Sequence, residues 1–268
     1  MSDLHHSETD RPRGLGIARW VSSLSPWQAA LGLLLLVIVA LLLVRLGLLW
    51  VYYEDFDHLG LGPTLWALFY GMRFDLAAAA LLWAPGLWLL LWLLLWPLPW
   101  AHQGWWRFSL RGVALLGLLL ILAVELGSLF YFGHVRRRPG AELFAVLRSG
   151  AGDVHFLTSM MSGRYLLGLG ISLLLMCLVA WWAWILSGAL RPSPLIKRRW
   201  QWLLVSLLVP LLLVVAVRGG LQRKAMGPAD FFQGQDFHAG LLSGNSSYLL
   251  LGALRQQAGR IPDYMPRK

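Results

Sequence analysis

The sequence contains few charged residues and almost no cysteine. Only 13% of its 268 residues are charged, whereas 58% are hydrophobic and the mean hydropathy is +0.62. An average soluble domain has about 25% charged residues, so this composition excludes that class of protein. The single cysteine, Cys177, lies inside a long apolar run. This excludes an intrachain disulfide and a thiolate metal site.

Residues in patterns typical of catalysis are equally scarce. The only threonines are Thr9, Thr64 and Thr158, and none stands beside acidic and histidine residues that could hold a divalent metal. The sequence has no glycine-rich phosphate loop, no Gly-x-Ser-x-Gly elbow and no His-Glu-x-x-His motif. We therefore expect this chain to contain no catalytic residue, no cofactor-binding residue and no metal ligand. Alone, it should have no hydrolase or transferase activity.

Long apolar runs are abundant, and crossing a bilayer requires about 20 such residues. The sequence predicts an all-α polytopic membrane protein, a bundle of five transmembrane helices with short interfacial helices on the outer side. The five spans are Trp27–Trp50, Leu76–Trp96 with a polar extension back to Leu65, Phe108–Phe132, Tyr165–Leu190 and Trp200–Val217. The interfacial segments are Ala141–Leu147 and 153–161, which mix apolar and charged residues.

Three regions follow from this assignment. Residues 1–26 are predicted to be a disordered cytoplasmic segment, 27–217 the membrane domain, and 218–268 an extracytoplasmic juxtamembrane segment and linker. Within the last region, Asn245 or Ser246 can cap a short helix that runs to Leu254.

Basic residues in the loops predict the orientation. The loop Arg191–Arg199 carries four of them, whereas the first loop, Val51–Thr64, carries Glu54, Asp55 and Asp57 and no basic residue. The positive-inside rule then puts the N-terminus in the cytoplasm and the C-terminus outside, in a bacterial inner membrane. The net charge of +10 favours phospholipid head groups as partners rather than nucleic acid.

Several charged residues are expected to lie on one side of the membrane, in a common polar layer. In this layer Arg45 and Arg73 would balance Asp75 and Glu125, because an unpaired ion inside a membrane is costly. For a single arginine near a span end, snorkelling to the interface is the alternative interpretation. The candidates for this polar cluster, or for contacts with lipid head groups, are Arg45, Arg73, Asp75, Glu125, Arg136, Arg164 and Arg218.

One compact group of potential metal donors occurs in the first outer loop, where Asp55, Asp57 and His58 are close in sequence. A weak metal site is one interpretation of this group. An acidic loop that faces positive charge is the interpretation we favour.

Five stretches of the sequence together form a recognisable pattern: Tyr70–Leu76 with Pro85, Glu125 followed by Tyr131, Phe132 and Arg136, Arg218–Gln222, Pro228–Asp230, and Asn245–Leu250. This pattern resembles the membrane half of the lipoteichoic acid synthase and phosphoglycerol transferase branch of the sulfatase-like superfamily. The order of the stretches matches that family over roughly Trp27 to Leu254, with a glutamate at Glu125 where many relatives have aspartate.

The resemblance implies a membrane module that anchors a phosphoglycerol or phosphoethanolamine-type transferase and admits its lipid donor at the outer leaflet. In that family a metal-dependent extracytoplasmic domain follows, and it carries a threonine nucleophile. Here the sequence stops at Lys268, so a divalent metal is expected only in a missing or separately encoded catalytic domain. Two alternatives remain open: a non-enzymatic scaffold or assembly subunit of the cell envelope, and a small transporter with Glu125 and Asp75 as relay groups.

The orientation can be tested with a reporter enzyme that is active only outside the cytoplasm. Fused after Lys268 it should be active, and fused near Pro194 it should be silent, because Arg191–Arg199 is expected to remain inside. The reverse pattern of activity would contradict the orientation.

Overall fold

The computed structural model describes residues 16–82, 86, 104–140, 142–143, 163–190, 199–222, 226–232 and 236–258. These residues form helices and turns and no strand, which confirms the all-α prediction. The elements are α1 (Gly16–Ser23), α2 (Pro26–Val51), α3 (Tyr53–Phe56), α4 (Leu61–Leu82), α5 (Gly104–Val135), α6 (Gly163–Ser187), α7 (Arg199–Arg218), a 3-10 turn (Pro228–Phe232), α8 (Phe237–Ser243) and α9 (Ser246–Ala258).

Within the described ranges, four helices are long and apolar enough to cross a membrane, rather than the expected five. The four segments are Gln28–Val51, Leu61–Leu82, Arg111–Val135 and Leu166–Ser187. In α7 the apolar part, Leu207–Arg218, is shorter. The coarser prediction of a helical membrane protein is thus confirmed for this part of the chain.

The second candidate span of the structure, Leu61–Leu82, covers the expected polar extension back to Leu65 and the first part of the expected Leu76–Trp96. In the structure α4 runs from Leu61 to Leu82, and most residues from 83 to 103 lie outside the described part. Arg73 and Asp75 therefore lie in the body of this helix and not at its head.

Local sequence fixes the start of α2. Ser25 accepts a hydrogen bond from the Gln28 backbone N–H at 3.3 Å, and the Gln28 side chain accepts one from the Ser25 N–H at 2.8 Å. Pro26 then occupies the first helical position, where its missing N–H costs nothing. This capping box directs the chain into the first span.

The core lies between α2, α4, α5 and α6. Leu33, Leu118 and Ala183 are almost fully buried there, and the row Ala77–Ala80 of α4 is buried as well. Small residues allow helix backbones to approach closely, which provides the packing attraction between helices in lipid. On the other face of α2, Leu31 and Leu35 are more than half exposed and face outward.

Helices are described in parts of both terminal regions that the sequence assigned. The segment 1–26, which the sequence predicted to be disordered, contains α1. Val21 of this helix is buried in the main core cluster and anchors it there. The region predicted to be a linker contains α8 and α9, and α8 packs against α4 with Leu241 and Leu242 buried. Residues 1–15 and 259–268 lie outside the described part.

The helix predicted after Asn245 is present. The Asn245 Oδ1 accepts a hydrogen bond from the Tyr248 N–H at 2.9 Å, and α9 runs from Ser246 to Ala258. The predicted interfacial segments between α5 and α6 lie outside the described residues, apart from Glu142 and Leu143.

The packing of α2 gives a matched test. Leu33→Ala should lower the free energy of unfolding in detergent by about 2 kcal/mol or more, because it leaves a cavity in a closed core. Leu33 is 0% exposed, whereas Leu31 is 56% exposed, so Leu31→Ala should change little. Denaturant unfolding of both variants measures the difference. Equal losses would contradict the assignment of the two faces.

Candidate functional site

A buried ion pair joins α2 to α4. Arg45 donates from Nη1 to Oδ2 of Asp75 and from Nη2 to Oδ1, both at 2.8 Å, which is the bidentate geometry of a strong pair. The two side chains are 3% and 1% exposed. The structure thus brings together two of the residues that the sequence assigned to a polar cluster.

A second buried ion pair joins α5 to the chain that follows it. Arg138 Nη1 lies 3.0 Å from Glu125 Oε2, and it also donates to Ser246 Oγ at 3.2 Å. Helix α5 ends where Arg136 adopts a φ of 55°, a left-handed conformation that reverses the chain and brings Arg138 back toward the bundle. Burial lowers the pKa of Arg138 and Glu125 opposes that shift, but a guanidinium stays charged in proteins.

Both pairs meet at residues 241–247, which we call the α8–α9 junction. Backbone carbonyls at the end of α8 accept from the arginines: Leu241 O from Arg138 Nε at 3.0 Å, and Ser243 O and Gly244 O from Arg45 Nη2 at 3.3 Å each. The last carbonyls of a helix have no partner within the helix and carry partial negative charge, so cations stabilise them.

The carboxylates act at the beginning of α9, where they accept hydrogen bonds, whereas the arginines donate hydrogen bonds to the end of α8. Glu125 Oε1 accepts the Ser247 N–H at 2.9 Å, and Asp75 Oδ1 accepts from the Asn245 side chain at 2.8 Å. The N-terminus of a helix carries partial positive charge and free N–H groups, so acceptors and anions stabilise it. Each charge of the two pairs thus has a helix end of suitable sign beside it.

The two pairs form a closed arrangement. Two guanidinium groups and two carboxylates balance in charge, all four are buried, and their remaining atoms largely bond to the junction. Arg45 Nε is a buried donor without a partner among the described atoms. Removing one partner of a buried pair costs about 3–5 kcal/mol. Such a set can hold the junction against the bundle.

Arg73 does not take part in the charge balance that the sequence predicted for it, and this is a correction. Its Nη2 donates to Gly219 O at 2.6 Å and to Gln222 Oε1 at 3.0 Å, and its guanidinium lies 5.0 Å from the Tyr70 ring. Glu125 pairs with Arg138 in its place. Arg73 lies on the same helix as Asp75 but two residues earlier, so it faces α7 instead of α2.

The other candidates have separate surroundings. Arg136 pairs with Asp55, in agreement with an acidic first loop that faces positive charge. Arg218 is exposed, and its Nε donates to Gln222 O at 3.2 Å. The side chain of Arg164 lies outside the described part of the structure.

Sequence reasoning missed Arg138 as a partner of Glu125 and missed the contacts of Asn245, Ser246 and Ser247, three of the four polar residues of the junction. Arg138 was visible only as the last member of a basic run in a loop, and nothing local marks it as buried. The residues Asn245, Ser246 and Ser247 lie where a helix cap was expected, but their contacts with spans two and three depend on tertiary packing.

No protein-family model, curated protein or solved structure matches this chain.

Gly71 gives a direct test of this site. A Cβ at Gly71 would lie 2.5 Å from Arg45 Cζ and 2.8 Å from Ser243 O, so alanine cannot fit without moving the pair or the junction. At Gly47, also in a helix, an added Cβ meets no atom within 4 Å. Alanine in a helix is intrinsically better than glycine by about 1 kcal/mol.

We therefore expect Gly47→Ala to preserve or raise the melting temperature in detergent and Gly71→Ala to lower it. Thermal unfolding of the purified variants measures both. A Gly71→Ala protein as stable as Gly47→Ala would contradict the close contact of Arg45 with the junction.

Proposed function

We propose that this chain is the membrane module of a phosphoglycerol or related head-group transferase of the sulfatase-like superfamily. In this role it anchors a catalytic part and provides the lipid donor with an access site at the outer leaflet. The resemblance of the stretches around Arg73, Glu125 and Gln222 supports the family assignment. The two buried ion pairs at the α8–α9 junction support the anchoring part of the role, and the contacts of Arg73 support the lipid-binding part. Both lie at the same end of the bundle, which we call its charged end.

The observation that carries this proposal is the attachment of the α8–α9 junction by two buried ion pairs. An anchor that only kept a domain at the membrane would need no ordered segment after the last span. Here α8 and α9 are fixed to α2, α4 and α5 through Arg45 and Arg138. A domain attached to or bound at α9 would be held at a defined position above the bundle.

Arg73 and Arg218 are the head-group contacts in this proposal. Both donate to Gln222, Arg73 to its side-chain oxygen and Arg218 to its main-chain oxygen. Gly219 and Gly220 have φ values of 81° and 127°, and this turn brings Gln222 back beside α4. A phosphodiester has charged oxygens that bind guanidinium more strongly than amide oxygens do, so a lipid phosphate would displace Gln222.

The orientation belongs to the same proposal, with the N-terminus in the cytoplasm of a bacterial cell and the charged end of the bundle outside. A scaffold subunit with this fold would have the same junction but would need no lipid phosphate at Arg73. A transporter is less well supported, because Asp75 and Glu125 are each engaged in a buried pair and are not arranged as a relay.

Lipid binding at Arg73 can be measured by thermal shift in detergent. Phosphatidylglycerol should raise the melting temperature of the wild-type protein more than phosphatidylcholine does, because its phosphate is not neutralised by an attached ammonium. Arg73→Gln should lose most of this difference, since glutamine has no charge to offer the phosphate.

Arg111→Gln is the matched control, because it removes the same charge from the other end of the bundle, where Arg111 lies 5.1 Å from the Trp184 ring. It should retain the preference for phosphatidylglycerol. If both variants retain it, or both lose it equally, Arg73 is not a head-group contact and the scaffold alternative is favoured.

A further inference from the structure

Three potential metal ligands from distant parts of the sequence meet at the charged end of the bundle. His58 lies in the turn between α3 and α4, whereas Asp236 and His238 stand at the beginning of α8. Each residue offers one ligand atom, and the three atoms lie within 4.8 Å of one another. The sequence had suggested Asp55 and Asp57 as the possible co-ligands of His58, but in the structure Asp55 forms an ion pair with Arg136.

The distances suit a small divalent ion. His58 Nε2 lies 3.4 Å from Asp236 Oδ2, and His238 Nδ1 lies 3.7 Å from Asp236 Oδ1. Zinc bonds to histidine nitrogen and carboxylate oxygen are about 2.0–2.2 Å long, so tetrahedral ligands stand about 3.3–3.5 Å apart. The three ligand atoms lie within 4.8 Å of one another, so rotation of the side chains would have to bring them to this separation when the ion binds.

The carboxylate is held in place by its own backbone. Asp236 Oδ1 accepts from the backbone N–H of His238 at 2.7 Å and of Ala239 at 3.4 Å, since Asp236 caps α8. Oδ2 is thereby directed toward His58. On the far side of His58, Nδ1 lies 3.8 Å from Asp57 Oδ1, which is beyond hydrogen-bond distance. A closer approach would let this carboxylate accept the Nδ1–H of a metal-bound imidazole.

We infer that His58, Asp236 and His238 bind a zinc ion that ties the α3–α4 turn to the start of α8. Two imidazoles and one carboxylate are a ligand set that zinc accepts, whereas magnesium prefers oxygen ligands. The side chains are 44%, 37% and 39% exposed, so water or a substrate oxygen can occupy the fourth position. The ion would hold α8 at its beginning, as the arginines hold it at its end. This site is independent of the proposed lipid contact at Arg73.

Titration calorimetry of the full-length protein in detergent tests the site. The protein carries a tag without histidine and the substitutions His5→Ala and His6→Ala, because two adjacent histidines could bind zinc themselves. After treatment with EDTA, it should bind one equivalent of Zn²⁺, and Mg²⁺ should not compete. His58→Ala and His238→Ala should each weaken binding at least tenfold, since even indirect supports of a metal site contribute about 10–100-fold.

Two further variants keep the test decisive. Asp236→Asn preserves an oxygen that caps α8 but removes the negative charge. This variant should therefore fold normally, but its affinity for zinc should be at least tenfold lower than that of the parent protein. His134→Ala removes an exposed histidine that lies outside the cluster, and it should bind zinc as the parent protein does.

The melting temperature is the second measurement, because an ion that binds only the folded state raises it. Zinc should raise the melting temperature of the parent protein and of His134→Ala, and it should leave that of His58→Ala/His238→Ala unchanged. Absence of zinc binding, or equal zinc binding by the parent and the His58→Ala/His238→Ala protein, would overturn the inference. The histidines would then serve only as ion-pair partners of Asp236.

Discussion

The opposed charges at the α8–α9 junction are the interaction on which the organisation of this protein depends. Arg45 and Arg138 bind carbonyls where α8 ends, while Asp75 and Glu125 accept hydrogen bonds where α9 begins. The junction would otherwise leave unpaired backbone groups in an apolar environment. Without these contacts, the spans would contain three isolated ions, Arg45, Asp75 and Glu125, and Arg138 would be a fourth, buried just beyond α5. The charged side chains and the backbone groups of the helix ends bond to one another. Groups that would be costly to bury alone therefore form a specific contact.

This constraint explains otherwise unusual features of the chain. Gly71 has no side chain because the Arg45 guanidinium and the Ser243 carbonyl occupy the space beside it. Arg136 adopts a left-handed backbone conformation, at a cost of about 1–2 kcal/mol, because Arg138 must return to Glu125. The Arg73 side chain faces away from this network and donates to Gly219 and Gln222 instead.

Much of the helical fold could be predicted, because span length, capping residues and hydropathy are local properties. The polar layer was predictable in part: a buried aspartate or glutamate needs a partner, and Arg45 was within reach of Asp75. The sequence could not assign Arg138 to Glu125, since the basic run 136–138 resembles an ordinary loop. It also could not bring His58 to Asp236 and His238, because that contact exists only once the segment after α7 folds back onto the bundle.

The most direct test of the junction is hydrogen–deuterium exchange in the double variant Glu125→Gln/Arg138→Met, which removes one ion pair without stranding a charge. Glutamine has nearly the same shape as glutamate, so the α5 surface changes little. Its side-chain oxygen can still accept the Ser247 N–H. We predict faster exchange in peptides covering residues 241–250 than in wild-type protein, with unchanged exchange in residues 28–44 of α2, because local opening follows the loss of local contacts. Equal exchange of residues 241–250 in the two proteins would contradict the claim that the buried pairs hold this segment to the bundle.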